Sequence, residues 1–244
     1  MGHIGVSIVA TLSTAVLVCG IYPAVVWGIT RVLFRDQANG SLIYSADGKT
    51  VMGSRLIGQN FSDGKYFHPR PSNSTYDATT SGGSNLGPTS DKLINGLTSK
   101  DDKGVETLTF DGVRLRVFHY ALDNGISFKS NVPYDKFKDA KGNWNDMGLV
   151  DAFHDANTPL IFTDFAKEIP GDAVTASASG LDPHISVANA LLQAARVAQA
   201  RGLTEDAVKK LVDANTDGRD LGMLGDPGVN VLMLNLALDK SSAK

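Results

Sequence analysis

Three short stretches carry the side chains best able to do chemistry. In Tyr66-Phe67-His68-Pro69-Arg70-Pro71-Ser72 a titratable ring and a guanidinium stand among prolines that hold the backbone extended. Arg70 can clamp a carboxylate through two parallel bonds and His68 can bond a backbone carbonyl, so this stretch reads as a contact surface before it reads as a catalyst. In Ser81-Gly82-Gly83-Ser84-Asn85-Leu86-Gly87-Pro88-Thr89-Ser90 successive amides can form an anion-binding concavity. It is not a P-loop, because Pro88 stands where that motif needs Lys; the plain reading is a rigid, turn-rich loop. The third stretch, Thr175 to Ser186, sets Asp182 and His184 two residues apart. A metal needs three or four ligands, and His68 is the obvious third. A Ser-His-Asp hydrolase lacks its G-x-S-x-G elbow here. Helix capping and loop tethering account for Asp182 and His184 more economically. The alternative reading is a membrane-tethered hydrolase or metal-binding module built on His68, Asp182 and His184.

The elements that must hold these stretches read as α+β. Leu42-Ile43-Tyr44, Asp47-Gly48 and Val51 spell a hairpin, since Gly readily takes positive φ in such turns. Residues 72–90 show no apolar period and read as a loop. Residues 99–167 are irregular, with short strands expected at 113–120 and 160–162. Further on, Ser186 caps a helix over 187–201 that Gly202 ends, and Thr204 caps a second with Glu205 and Asp206 at its positive end. Asp226-Pro227 opens a third helix by the spacing of Val229, Leu232, Met233 and Leu236, while the alternation of Val229, Val231 and Met233 also allows a strand. No βαβ repetition supports a Rossmann sheet.

Ahead of all this lies an apolar run over 4–34 with no Lys, Arg, Asp or Glu before Arg31. Thirty residues at ~1.5 Å each reach roughly 45 Å, more than a ~30 Å hydrocarbon core, and predict a transmembrane helix. A cleaved signal peptide fits poorly, because the run is long and no basic residue precedes it. Gly20, Ala24 and Gly28 recur every fourth residue and Pro23 removes one backbone donor, so this face is expected to pack against a partner helix. Arg31 and Arg35 after the span favour a cytoplasmic domain by the positive-inside rule. A net charge of −3 without a Lys/Arg cluster gives nucleic acid no basic field. Cys19, the one cysteine, lies in the span, which excludes a disulfide framework and a Cys-based zinc site.

Taken in order, the blocks resemble the KdpC family, the C subunit of Kdp-type potassium-transporting ATPases. They comprise Tyr22-Pro23, residues 37–43, Gly53-Ser54, Leu56-Ile57-Gly58-Gln59, Tyr66-Phe67-His68 with Arg70-Pro71-Ser72, residues 81–88, Val174 to Ser186, Arg196 to Leu203 and Val229 to Asp239. The resemblance implies a non-catalytic, single-pass subunit of the bacterial plasma membrane, its domain over 36–244 extracytoplasmic. Implied partners are the K⁺-translocating subunit KdpA, the P-type ATPase subunit KdpB and a small accessory peptide. It further implies a catalytic chaperone that raises the ATP affinity of the ATPase subunit and binds no cofactor by itself. Leu56-Ile57-Gly58-Gln59 echoes an ABC-ATPase signature, which makes Gln59 and Ser81, Gly82, Gly83, Ser84 and Asn85 nucleotide-contact candidates. Gly20, Pro23, Ala24, Gly28, His68, Arg70, Asp182 and His184 are the partner-contact candidates. No P-type phosphorylation motif is present, since Asp91-Lys92, Asp135-Lys136 and Asp239-Lys240 are not followed by Thr-Gly-Thr. Residues 99–167 exceed the family's link between blocks and read as an insertion.

Overall fold

The computed structural model describes residues 2–45 and 47–242, and its contacts divide the chain into two units, 1–56 and 57–244. The first unit is dominated by a single apolar rod: α1 (Gly2–Ala15), one wider π turn (Val16–Ile21) and α2 (Tyr22–Leu33). The π turn has a local cause. Pro23 has no N–H to give, and the ladder resets one residue earlier, where the Tyr22 amide reaches the Leu17 carbonyl five residues back. Phe34, at φ −129°, ends the rod before the short α3 (Arg35–Ala38). Over His3–Leu33 the helix is long and apolar enough to cross a membrane, and its most apolar window is unburied within the chain. β1 (Leu42–Tyr44) and β2 (Val51–Ser54) form the antiparallel hairpin expected around Asp47-Gly48, with Gly48 at φ +68°.

The second unit holds two apolar cores. One is helical and aliphatic, built from α8 (Val187–Arg201), α9 (Glu205–Ala214) and α10 (Val231–Ser242) against the sheet β7 (His184–Ser186), β9 (Gly228–Asn230) and β8 (Thr216–Asp217), ordered β7-β9-β8 and antiparallel throughout. Its buried members include Ile185, Ala194, Val197, Val212, Val229 and Leu234, together with Phe67 from far upstream. The caps stand where the sequence puts them: Ser186 Oγ accepts from the Asn189 amide, Thr204 Oγ1 from Ala207, and Gly202 sits at φ +64°.

The other core gathers α4 (Asp91–Asn95), the hairpin β3 (Leu97–Lys100) and β4 (Glu106–Phe110), α5 (Gly112–Asp123), β5 (Lys129–Ser130) paired with β6 (Phe162–Thr163), and α6 (Asp146–Phe153). The four-residue α7 (Gly171–Val174) follows in the chain. Phe118 is fully buried at its centre, edge-on to Phe128, Tyr134 and Trp144 and stacked on Phe162 at 5.2 Å.

Two expectations are corrected. Residues 113–120 are helix, not strand: Leu115, Phe118 and Ala121 form one buried stripe at helical spacing, which outweighs the alternation of Val113, Leu115 and Val117. Asp226-Pro227 does not open a helix. The strand β9 comes first, and Asn230 Oδ1 caps α10 by accepting from the Met233 amide. Sheet pairing of Val229 with Ile185 and Thr216 decides between the two periods that the sequence left open.

Candidate functional site

The motif-bearing stretches are built into one seam. Gly58 donates its amide to the Leu181 carbonyl at 2.8 Å, and a Cβ there would stand 2.6 Å from the Asp182 carbonyl, so only glycine fits. Ser72 Oγ bonds the Gly180 carbonyl at 2.6 Å, Ser81 Oγ the Ser179 carbonyl at 3.1 Å, and the Gly82 amide the same carbonyl at 2.8 Å. A Cβ on Gly83 would lie 2.8 Å from the Ala178 carbonyl. The glycine-serine loop is thus zipped onto 177–182. Gln59 follows Gly58 and is half-buried, Ser84 Oγ accepts from the Leu86 amide, and Asn85 is exposed at φ +54°.

Arg70, Asp182 and His184 meet. Arg70 Nη1 bonds Asp182 Oδ2 at 3.0 Å, and the His184 amide occupies Oδ1 at 2.9 Å. Arg70 thus holds Asp182 through one oxygen rather than both, and its Nε is buried without a partner. His184 Nε2 reaches Asp217 Oδ2 at 3.0 Å across β9. Gly228 leaves room for the ring, since a Cβ there would come within 3.2 Å of the His184 Cβ.

His68 belongs to a different network. Its amide donates to Gln193 Oε1 at 2.7 Å, and its ring Nε2 donates to the Asp63 carbonyl at 3.3 Å. Burial, helped by the nearby Arg196 guanidinium, holds its pKa below the usual histidine value, which keeps the ring neutral. Next to it, Phe67 exchanges both backbone bonds with the Asn235 carboxamide, at 2.9 and 3.0 Å. Two amide side chains, from α8 and α10, therefore play the part of a neighbouring strand for an isolated extended segment. Arg196 completes the clasp by donating to the Gly64 and Tyr66 carbonyls. Among the described residues no group of three or more His, Cys, Asp or Glu is set to hold a metal, and the triad of His68, Asp182 and His184 is split between the two networks.

A cleft of about 410 Å³ opens beside His68, walled on the far side by α5. On its wall Arg116 forks onto Asp111 at 2.6 and 2.7 Å and His119 Nε2 meets Asp146 Oδ1 at 2.8 Å, and Asp123 lines it as well. Tyr76, also on its wall, is pushed up to about 12 by burial and donates its hydroxyl to the Arg70 carbonyl.

These stretches form a set of interlocking seams around buried amides. The family model for "K+-transporting ATPase, c chain" matches residues 4–109 and 148–240, taking in the span, the seam and the helical core. The chain belongs to the KdpC family. Relatives named "Potassium-transporting ATPase KdpC subunit" agree with it along most of their length. One from Mycobacterium bovis (strain BCG / Pasteur 1173P2) is 41% identical over 222 residues, covering 90% of this chain and 88% of the relative. One from Rhodopseudomonas palustris is 42% identical over 243 residues, with 93% and 92% covered. Another, from Koribacter versatilis, is 39% identical over 235 residues, with 96% and 92% covered.

As a KdpC-family chain it is an accessory subunit of the K⁺-transporting ATPase, not its catalytic one. The family model passes over 110–147, which contains α5 and so one wall of the cleft. Gln193, Asn235, Asn189 and Asp172 were missed in the sequence. Asp172 binds the Ser186 amide and hydroxyl and the Asn189 carboxamide at 2.7–3.0 Å, anchoring the start of α8. The signal was available: Asn189 and Gln193 fall on the same helical stripe as Ala190, Ala194 and Val197, and a polar side chain on a buried stripe must be bonded to something specific.

Proposed function

We propose that this chain is the assembly and activation subunit of a bacterial K⁺ pump, joining a K⁺-translocating subunit (KdpA), a P-type ATPase subunit (KdpB) and a small accessory peptide. The observation that carries the reading is the apolar helix His3–Leu33, which is unburied within its own chain and heads a family match running to residue 240. A Cβ added at Gly20 or Gly28 would meet no other part of the chain within 4 Å, so a partner helix can come close to the backbone there. The domain is extracytoplasmic in this reading, as in the family it resembles, and the chain raises the ATP affinity of the ATPase subunit by stabilising the assembled complex.

Direct nucleotide contact is not part of the proposal. The loop offered for it contains no Lys or Arg over 81–90, its Gly82 amide is spent on Ser179, and Gly83 is packed against Ala178. These residues do not fit a polyphosphate cradle, which needs free amides and a cation. ATP is left to the ATPase subunit.

Purification through a tag on this chain should bring down K⁺-stimulated ATP hydrolysis, with a lower half-saturating ATP concentration than the same ATPase shows without the chain. A chain that purifies alone sinks the reading. For orientation, Lys210→Cys in a Cys19→Ser background should react with a membrane-impermeant maleimide in intact spheroplasts; labelling only after lysis would reverse the topology.

A further inference from the structure

Residues 218–227 form a finger between β8 and β9. Leu221 and Met223 are 87% and 74% exposed, the two highest values for large apolar side chains among the described residues of the unit beginning at Ile57. Leu224 beside them is 55% exposed. The finger is not slack. Asp220 and Leu224 exchange both backbone bonds at 2.9 Å, and Arg219 Nη2 pairs with Asp226 Oδ1 at 3.3 Å across its neck. Leu221 is held at φ +53°, a left-handed conformation disfavoured for any residue with a side chain. Wet apolar surface is concentrated at one tip on a fixed backbone, and its exposure is a cost that docking would offset.

The charges select the occupant. Residues 216–230 carry Asp217, Asp220 and Asp226 against the single basic residue Arg219, a formal excess of negative charge even with Asp226 paired to Arg219 and Asp217 bonded to His184, and they contain no Lys, Trp, Tyr or Phe. Anchoring in a bilayer interface draws on clustered basic and aromatic side chains and on attraction to anionic lipid, whereas this stretch has one Arg, already paired with Asp226, no aromatic ring and net negative charge. We propose that this finger seats Leu221, Met223 and Leu224 in an apolar, basic-rimmed recess on another subunit of the K⁺-transporting ATPase. The inference rests on the assembly reading above and adds the surface that makes the contact outside the span.

The test uses the full chain expressed with the other subunits, with p-benzoylphenylalanine at position 223, irradiated in the membrane and purified through a tag on the ATPase subunit. A covalent adduct with another subunit is expected. Leu221→Ser/Met223→Ser should lower co-purification about tenfold, whereas Val105→Ser, also an exposed apolar position, should not. The adduct reports on contact directly, whatever the variant does to folding. An intact complex with no adduct at 223, or adducts only with lipid or with a second copy of this chain, overturns the docking proposal and leaves assembly standing. Failure of the unsubstituted chain to co-purify overturns both.

Discussion

The two cores of the soluble unit are held together differently. Around α8, α9 and α10 the buried side chains are small and aliphatic: Ala190, Ala194 and Ala198 let helices approach closely, and polar amides stitch a distant segment to them. Around α5 and α6 the core is a cluster of large rings, Phe118 with Phe128, Tyr134, Trp144 and Phe162, brought in by short strands and turns. The first core obtains specificity from hydrogen bonds whose loss is costly, the second from bulk and ring geometry. The family model covers the first throughout and is interrupted in the second.

The largest expected effect comes from emptying the aromatic core. Phe118→Ala removes a fully buried ring and should destabilise that region by about 3–5 kcal/mol. Hydrogen exchange should show lost protection in α5 and α6 with α8 retained; equal loss in all three would mean that the two cores are a single cooperative unit. Next is the joint in the helical core. Asn235→Leu leaves the Phe67 N–H and C=O buried and unpaired, at a cost of about 2–4 kcal/mol, and protection should fall in α10 and around Phe67 first. An unchanged melting temperature would show that the paired amide adds nothing beyond its shape.

This contrast also explains what the sequence disclosed. The helices at 187–201 and 205–214 were legible because Ser186, Thr204 and Gly202 are local signals that need no tertiary context. The ring cluster was opaque: Phe118 comes from α5 and Phe162 from β6, but Phe128, Tyr134 and Trp144 come from the segments between elements and share no period, and Asp111 makes no side-chain cap to announce α5. At the seam, His68, Arg70, Asp182 and His184 were visible by type. That Arg70, Asp182 and His184 share one network while His68 sits in another depended on Asp217, Gln193 and Asn235, more than thirty residues away from the residues they hold.

The central claim, that this chain works by assembling with membrane partners, is tested most directly by its span. Gly20→Leu and Gly28→Leu put bulk on the small-residue face, whereas Val26→Leu adds it elsewhere on the helix. Close helix contacts of this kind contribute on the order of 1 kcal/mol each, enough to loosen a detergent-solubilised complex without unfolding its parts. The account predicts weaker co-purification of the K⁺-translocating subunit, and slower growth on low K⁺, for the two glycine variants only. Equal recovery of the complex from all three would contradict it.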